Sequence, residues 1–167
     1  MPEARIGTVD IPDRTERERY FAELSYLELS ALFAGPLKPG ALAKWANVAP
    51  KGVLGLVAPW VFTHRQIPEA ARLWRHDGSA GDFRDTAPAR DALGPFRAAV
   101  EALGALHAVF RSPPLFAPSA ANRDRLRAYR SPRGTGGVRR APAHCRGSLR
   151  RWRRVAIAVR PREHAGA

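Results

Sequence analysis

The chain has 167 residues, of which 28 are Lys or Arg and 15 are Asp or Glu, and it contains a single Cys. This length fits one domain, and a single cysteine excludes a disulfide scaffold within the chain. The longest nearly apolar run, residues 52–62, is interrupted by Pro59 and is much shorter than the ~20 residues of a membrane helix. The start of the sequence lacks the apolar stretch of a secretory signal, so we expect a cytoplasmic protein.

The positive charge is concentrated at one end of the sequence. The net charge is +13, and the last 37 residues hold 10 Arg, no Lys and one acid, Glu163. This change of composition after Arg130 predicts two parts, an ordered domain over residues 1–130 and an Arg-rich tail over residues 131–167.

Before that boundary, short apolar runs alternate with segments patterned for helix, which is typical of a parallel sheet covered by helices. Residues 5–9 form the first predicted strand. Thr15 and Glu18 have the spacing of a capping box, which predicts a helix over residues 16–24. Its buried side chains are expected to be Tyr20, Phe21 and Leu24.

The second and third predicted strands flank another helix. Residues 26–29 form the second strand, and Pro39 fits the first turn of a helix. The side chains expected on its buried side are Leu42, Trp45 and Ala46. Residues 53–57 are nearly all apolar, as expected for a parallel strand buried on both faces.

The last predicted elements complete four β/α units. Residues 89–103 predict a helix, and Pro95 within it predicts a kink or a restart, because proline removes a backbone hydrogen bond and costs ~3 kcal/mol inside a helix. Residues 107–110 predict the fourth strand. Ser119 is predicted to cap a final helix that ends near Arg130.

Four consecutive β/α units suit two architectures. One is half of an eightfold (β/α) TIM-type barrel, which needs ~250 residues when complete, and the other is a small open α/β sheet. In both, functional groups gather past the carboxyl ends of the strands. Those positions are Asp10 and residues 28–30, 58–64 and 111–114.

The strand ends resemble a known family. Four segments occur in the order and spacing of the YecE-like family, a domain of unknown function (number seventy-two): Arg5–Thr8 (RIGT), Glu28–Phe33 (ELSALF), Ala58–His64 (APWVFTH) and Val109–Phe116 (VFRSPPLF). That family is a (β/α) barrel without an established activity. The resemblance covers residues 5–130 and implies an incomplete TIM-type barrel of about four β/α units, followed by an irregular basic tail.

Several polar positions depart from the pattern of that family. Ser30 stands where the family usually has Asn, Ala34 where it has Tyr, Val57 where it has Lys, and Arg111 where it has Gln. The further strands that close the family's barrel are not recognisable after Tyr129. These departures imply a truncated or degenerate member with little or no activity.

A second interpretation is an enzyme whose site lies at the strand ends. Glu28 ends an apolar strand, so its carboxylate is expected to face a polar pocket or to pair with an arginine. His64 titrates near neutral pH and would form an acid/base pair with Glu28, unless it is simply a loop residue bonded to the backbone. Arg111 would hold an anionic or hydroxylated small ligand, or be solvated or ion-paired.

Three more residues complete the predicted ligand-binding set. Asp10 follows the first strand, and Trp60 and Thr63 follow the third, where Trp60 either stacks on the ligand or packs in the core. We expect no metal and no cofactor, because the five histidines lack ligand spacing and no phosphate-binding glycine loop is present.

A third interpretation assigns non-specific nucleic-acid binding to the tail. A cluster of four arginines around an aromatic residue has the charge and the stacking surface that a phosphate-backbone binder needs: Arg150, Arg151, Trp152, Arg153 and Arg154. However, 24 of the last 37 residues are Arg, Ala, Gly or Pro, as a shifted reading frame in a GC-rich gene would produce. We therefore expect a disordered or out-of-frame tail. Separately, an incomplete barrel would leave its end strands unpaired, so we expect self-association through the edges of the sheet.

Overall fold

The computed structural model describes residues 5–11, 16–69, 74–113, 115–117 and 119–130. Four strands form one parallel sheet in the order β1-β2-β3-β4: β1 Gly7–Val9, β2 Tyr26–Leu29, β3 Leu54–Val57 and β4 His107–Val109. The helices are α1 Arg17–Glu23, α2 Ala31–Ala34, α3 Pro39–Val48, α4 Ala87–Ala102 and α5 Ala120–Arg130, with a 3₁₀ turn at Trp60–Phe62. The predicted α/β class is confirmed.

The register of the sheet separates a core face from a polar face. Glu28 lies opposite Val9 and Gly55, and Gly55 lies opposite His107. Because side chains alternate along a strand, these four positions and Tyr26 share one face, which we call the polar face. The opposite face holds the almost fully buried side chains of Leu27, Leu29, Leu54 and Leu56.

The hydroxyl of Tyr20 on α1 takes part in the pairing of β1 with β2. The backbone N–H of Thr8 donates to Tyr20 Oη at 2.8 Å, and Tyr20 Oη donates to the carbonyl of Tyr26 at 2.8 Å. Tyr20 is buried, as predicted. The hydroxyl therefore bridges two backbone groups, which satisfies both of them.

An aromatic cluster attaches the last helix to the sheet. The ring of Tyr129 on α5 lies 5.4 Å from Phe83, 5.6 Å from Phe110 and 6.3 Å from Phe62, and Phe62 lies 6.0 Å from Phe96 on α4. These separations are those of favourable aromatic pairs. Burial raises the pKa of the Tyr129 hydroxyl, so the neutral phenol is the form that packs here.

Three details of the helices test the sequence-based expectations. Ser119 caps α5, because its Oγ accepts a hydrogen bond from the N–H of Asn122 at 3.2 Å. Ala46 on α3 is exposed, so its predicted burial was wrong; Leu42 and Trp45 on the same helix are half-buried. Thr15, the predicted cap of α1, lies outside the described residues, and Glu16 takes the cap position without a side-chain bond.

Of the kink or restart predicted at Pro95, the restart was wrong, because α4 runs without a break over Ala87–Ala102, and the kink stays a prediction. Proline removes the hydrogen bond that would reach the carbonyl of Asp91. Both Asp91 and Pro95 are exposed, so water can satisfy that carbonyl. Ala92, Phe96 and Ala99 continue the buried side across the proline, and their packing maintains the helix.

Within the described part of the chain, no helix has the length and apolar character needed to cross a membrane. The last helix reaches Arg130, and the whole predicted tail, residues 131–167, lies outside the described residues.

Candidate ligand-binding site

The carboxyl ends of the four parallel strands lie along one edge of the sheet. Glu28 is the third residue of β2, and Thr63 and His64 follow the 3₁₀ turn after β3. Arg111 comes two residues after β4. Parallel strands place such positions at a common edge, where α/β proteins bind ligands.

Glu28 and Arg111 form an ion pair at this edge. Arg111 Nη2 donates to Glu28 Oε1 at 3.1 Å, and the two side chains are 40% and 10% exposed, respectively. The buried carboxylate therefore has a charged partner, which a buried carboxylate needs. A guanidinium has five N–H donors, so Arg111 retains further donors for a ligand at its exposed side.

His64 lies beside this pair, and its surroundings favour the uncharged ring. Its Nδ1 is 2.7 Å from Thr63 Oγ1, which fixes the ring, and Thr63 itself is fully buried. Burial, and secondly the positive charge of Arg111, lower the pKa of His64 below its ordinary value of 6.5. The Thr63 hydroxyl donates to the carbonyl of Trp60 at 3.4 Å, so its oxygen can accept from the Nδ1–H of His64. In that tautomer His64 Nε2, which has no hydrogen-bond partner among the described residues, can accept a hydrogen bond from a ligand.

Phe33 on α2 connects the ion pair to the histidine. The guanidinium carbon of Arg111 lies 5.9 Å from the centroid of the Phe33 ring, and the ring of His64 meets it edge-on at 5.2 Å. We call Glu28, Phe33, Thr63, His64 and Arg111 the strand-end cluster. Sequence reasoning did not assign a site role to Phe33, although it lies in the segment Glu28–Phe33 and on the first turn after β2.

Asp10 and Trp60 belong to neighbouring contacts. The carboxylate of Asp10 accepts hydrogen bonds from the backbone N–H of Ser30, at 2.8 Å, and from the Ser30 hydroxyl, which joins the ends of β1 and β2. Trp60 is 1% exposed and meets His76 edge-on at 5.5 Å. That burial favours the packing interpretation of Trp60 over stacking on a ligand.

The loop that contains Gly81 and Asp82 supports the segment of His64, a role that the sequence did not reveal. The backbone N–H groups of Gly81 and Asp82 donate to the carbonyls of Val61 and Thr63 at 2.8 and 3.1 Å. Gly81 has φ +92°, and a Cβ there would lie 2.4 Å from the carbonyl carbon of His64, so only glycine fits. The carboxylate of Asp82 in turn pairs with Arg65 and Arg125.

A second polar contact lies on the polar face. Tyr26 Oη is 2.9 Å from His107 Nε2, and Gly55 between them leaves the necessary space, since a Cβ there would lie 2.1 Å from that hydroxyl. Burial lowers the pKa of His107, while the charge of Glu28 raises it and that of Arg5 lowers it. The strand pattern contained both residues but did not reveal their pairing across β3.

Comparison with protein families, curated proteins and solved structures gives no match to this chain. The resemblance to the YecE-like family therefore stays a prediction. Among the described residues no group of three or more His, Cys, Asp or Glu could hold a metal ion. The nucleic-acid residues predicted in the tail, Arg150, Arg151, Trp152, Arg153 and Arg154, lie outside the described residues.

Proposed function

We propose that the strand-end cluster binds a small hydroxylated ligand and catalyses little or no chemistry on it. The observation that carries this proposal is the half-exposed Arg111 guanidinium, paired with buried Glu28 and next to the uncharged ring of His64. The charges of Glu28 and Arg111 cancel, so the cluster offers hydrogen bonds without a net positive charge. A hydroxyl group can accept from Arg111 and donate to Glu28 or to His64 Nε2.

An anionic ligand is the alternative at the same position. It would compete with Glu28 for the guanidinium of Arg111, and it would gain no second positive charge from His64 because the pKa of that ring is lowered. Charge-assisted bonds to a guanidinium are strong, but here one is already made within the protein. The local charge balance therefore favours hydroxylated ligands, with Phe33 as an apolar surface for their C–H groups.

The proposal also includes the barrel fold of which the sheet would be a part. The four strands lie in the sheet in the same order as in the chain, as they do in a singly wound sheet. In a doubly wound sheet the order would instead reverse at a switch point. This order supports our inference that the chain forms four β/α units of a TIM-type barrel, in which ligands bind at the carboxyl ends of the strands. A YecE-like protein of this kind would keep the site while lacking the family's Lys and Tyr at Val57 and Ala34.

Calorimetric titration and thermal unfolding of the full chain test the ligand class. The hydroxylated probes are D-glucose, D-ribose and glycerol, and the anionic probes are inorganic phosphate and citrate. We expect saturable binding of a hydroxylated probe with a rise in Tm. Arg111→Gln should weaken that binding about tenfold or more, the effect of losing one hydrogen bond to a charged group.

Arg90→Gln is the matched control. Arg90 also forms an ion pair, with Asp85 at 3.4 Å, but it lies on α4 and outside the strand-end cluster. The Arg90→Gln variant should bind the probe with the same affinity as the parent chain. Binding of phosphate or citrate alone would select the anionic alternative, and no saturable binding of any probe would contradict the proposal.

An enzyme at the same site remains the second candidate, with Glu28 and His64 as the acid/base pair. The uncharged His64 ring with a free Nε2 favours a general base. His64→Gln distinguishes the two candidates. In a binding module this variant weakens binding moderately, whereas in an enzyme it abolishes turnover of the bound probe.

A further inference from the structure

We propose that two copies of this chain associate edge to edge, with β1 of each copy pairing in parallel with β4 of the other, and so close an eight-stranded parallel barrel. The proposal rests on the sheet edges and is independent of the ligand that the strand-end cluster binds. A second copy of the chain is the proposed partner, because its β4 edge can pair with the β1 edge of the first copy and its β1 edge with the β4 edge.

Each end strand has one unpaired side among the described residues, since β1 pairs only with β2 and β4 only with β3. The N–H of Asp10 bonds to β2, and Ile6 accepts from Tyr26, so the even-numbered residues of β1 point inward. The backbone groups of Gly7 and Val9 then point outward. On β4 the carbonyl of Val109 accepts from the N–H of Ala58, on the side of β3, so by the same alternation the backbone groups of Ala108 point outward.

Three of the large apolar side chains that are exposed in the described chain lie on or next to β1 or in the segment that follows β4. The large apolar side chains that are exposed number four: Ile6 (71%), Val9 (36%), Ile67 (42%) and Leu115 (89%). Ile6 and Val9 lie on the β1 edge, and Leu115 follows β4. In a parallel junction the carboxyl end of β1, with Val9, and the segment after β4, with Leu115, lie at the same end of the sheet. Exposed apolar patches of this kind mark interaction surfaces.

The edges also lack the features that prevent strand pairing. Natural edge strands avoid association by means of charged residues, proline or bulges. β1 has the sequence Gly-Thr-Val and β4 the sequence His-Ala-Val, so neither contains a proline or a Lys, Arg, Asp or Glu. Within the described ranges, both strands therefore have a side that can accept a parallel partner.

Closure as a dimer follows from symmetry. The β1 and β4 edges differ, so a single junction leaves one free edge on each copy and would continue into an open chain of molecules. A two-fold axis along the barrel forms both junctions at once and leaves no edge. Eight strands is also the number at which side chains fill the interior of a barrel. The consecutive order and uniform parallel register of the four strands fit each half.

Native mass spectrometry and light scattering of the full chain, at a salt concentration high enough to displace nucleic acid, test the proposal. The expected species has twice the mass of the 18.3 kDa chain and does not grow with concentration. Val9→Lys should weaken the dimer about 100-fold, because it places an ammonium group at both junctions. Leu115→Lys should also weaken it, from the other edge.

Ile67→Lys is the matched control, because Ile67 has a similar exposure to Val9 but lies on neither edge. This variant should remain a dimer, and circular dichroism should show that all three variants are folded. A monomeric parent chain would overturn the proposal. So would an open-ended oligomer, a dimer unaffected by Val9→Lys and Leu115→Lys, or equal dissociation of the Ile67→Lys variant.

Discussion

The surroundings of two histidines, His107 on β4 and His64 in the segment after β3, favour the uncharged ring. Burial is the main cause at both His64 and His107, and it lowers each pKa below the ordinary value of 6.5. Around and below that pH the unfolded chain therefore binds more protons than the folded chain at these positions. Linkage then requires that stability falls as the pH drops through about 6.5.

This prediction can be measured as urea unfolding between pH 7.5 and pH 5. The parent chain should lose stability on acidification, and the double variant His64→Gln with His107→Gln should lose less, because two of the titrating groups are absent. The control is His76→Gln, which removes an exposed histidine that lies outside the strand-end cluster and the polar face. Parallel pH curves for all three chains would refute this explanation.

At the residue scale, the sequence reduces the role of Glu28 to two possibilities but does not decide between them. The deciding partner, Arg111, is 83 residues away, and no local pattern joins positions so far apart. For the same reason the pairing of Tyr26 with His107 was missed. The sequence also did not determine the burial of Trp60 or the exposure of Ala46, because burial depends on which neighbouring elements cover a residue.

At the element scale, most helices and strands follow from periodicity and caps. The second strand has the predicted bounds, and the caps at Pro39 and Ser119 lie where the sequence placed them. The helix restart predicted at Pro95 was wrong for a physical reason. The prediction used the low helix propensity of proline alone, but the buried side of α4 continues past this residue. Tertiary packing of that side exceeds the local cost.

The continuous helix predicts that Pro95→Ala stabilises the protein. The substitution restores a helical N–H and removes the steric conflict of the ring, so the free energy of unfolding should rise by about 1–3 kcal/mol. Pro39→Ala is the control, because Pro39 occupies the first turn of α3, where proline is favourable. That variant should be neutral or slightly less stable. Denaturant unfolding measures both, and an unstable Pro95→Ala variant would show that α4 depends on its proline.

At the scale of the whole molecule, alternation of apolar runs and helices was enough to predict the α/β class. It could not choose between a barrel segment and an open sheet, because strand order is set by contacts between distant parts of the chain. The structure gives the order as β1-β2-β3-β4, and the barrel stays a proposal that this order supports. The boundary at Arg130 rests on composition alone and stays a prediction.

The charge of the whole chain supports a test of the nucleic-acid hypothesis. The net charge of +13 predicts binding to single-stranded nucleic acid that weakens steeply with salt. If the tail is the interface, replacing four of its arginines with Gln should reduce the salt slope by about 2–4, as each lost phosphate contact contributes ~0.7–0.9. The replaced residues are Arg150, Arg151, Arg153 and Arg154.

A charge-matched variant separates local contact from net charge. It carries Gln at four arginines of the described chain that are exposed and outside the tail: Arg19, Arg75, Arg90 and Arg123. Fluorescence anisotropy at several salt concentrations should give this variant the slope of the parent. Equal slopes in the two fourfold variants would assign the binding to overall charge rather than to the tail.

The hydroxyl of Tyr20 between Thr8 and Tyr26 has a consequence for the order of assembly. The two bonds through this hydroxyl cannot form before α1 has docked, whereas the direct bonds from Asp10 to Glu28 and from Tyr26 to Ile6 need only the two strands. Detachment of α1 therefore weakens the attachment of β1 to β2, and exchange of the Thr8 amide proton with solvent reports it. A tyrosine thus couples the earliest segment of the sheet to the first helix.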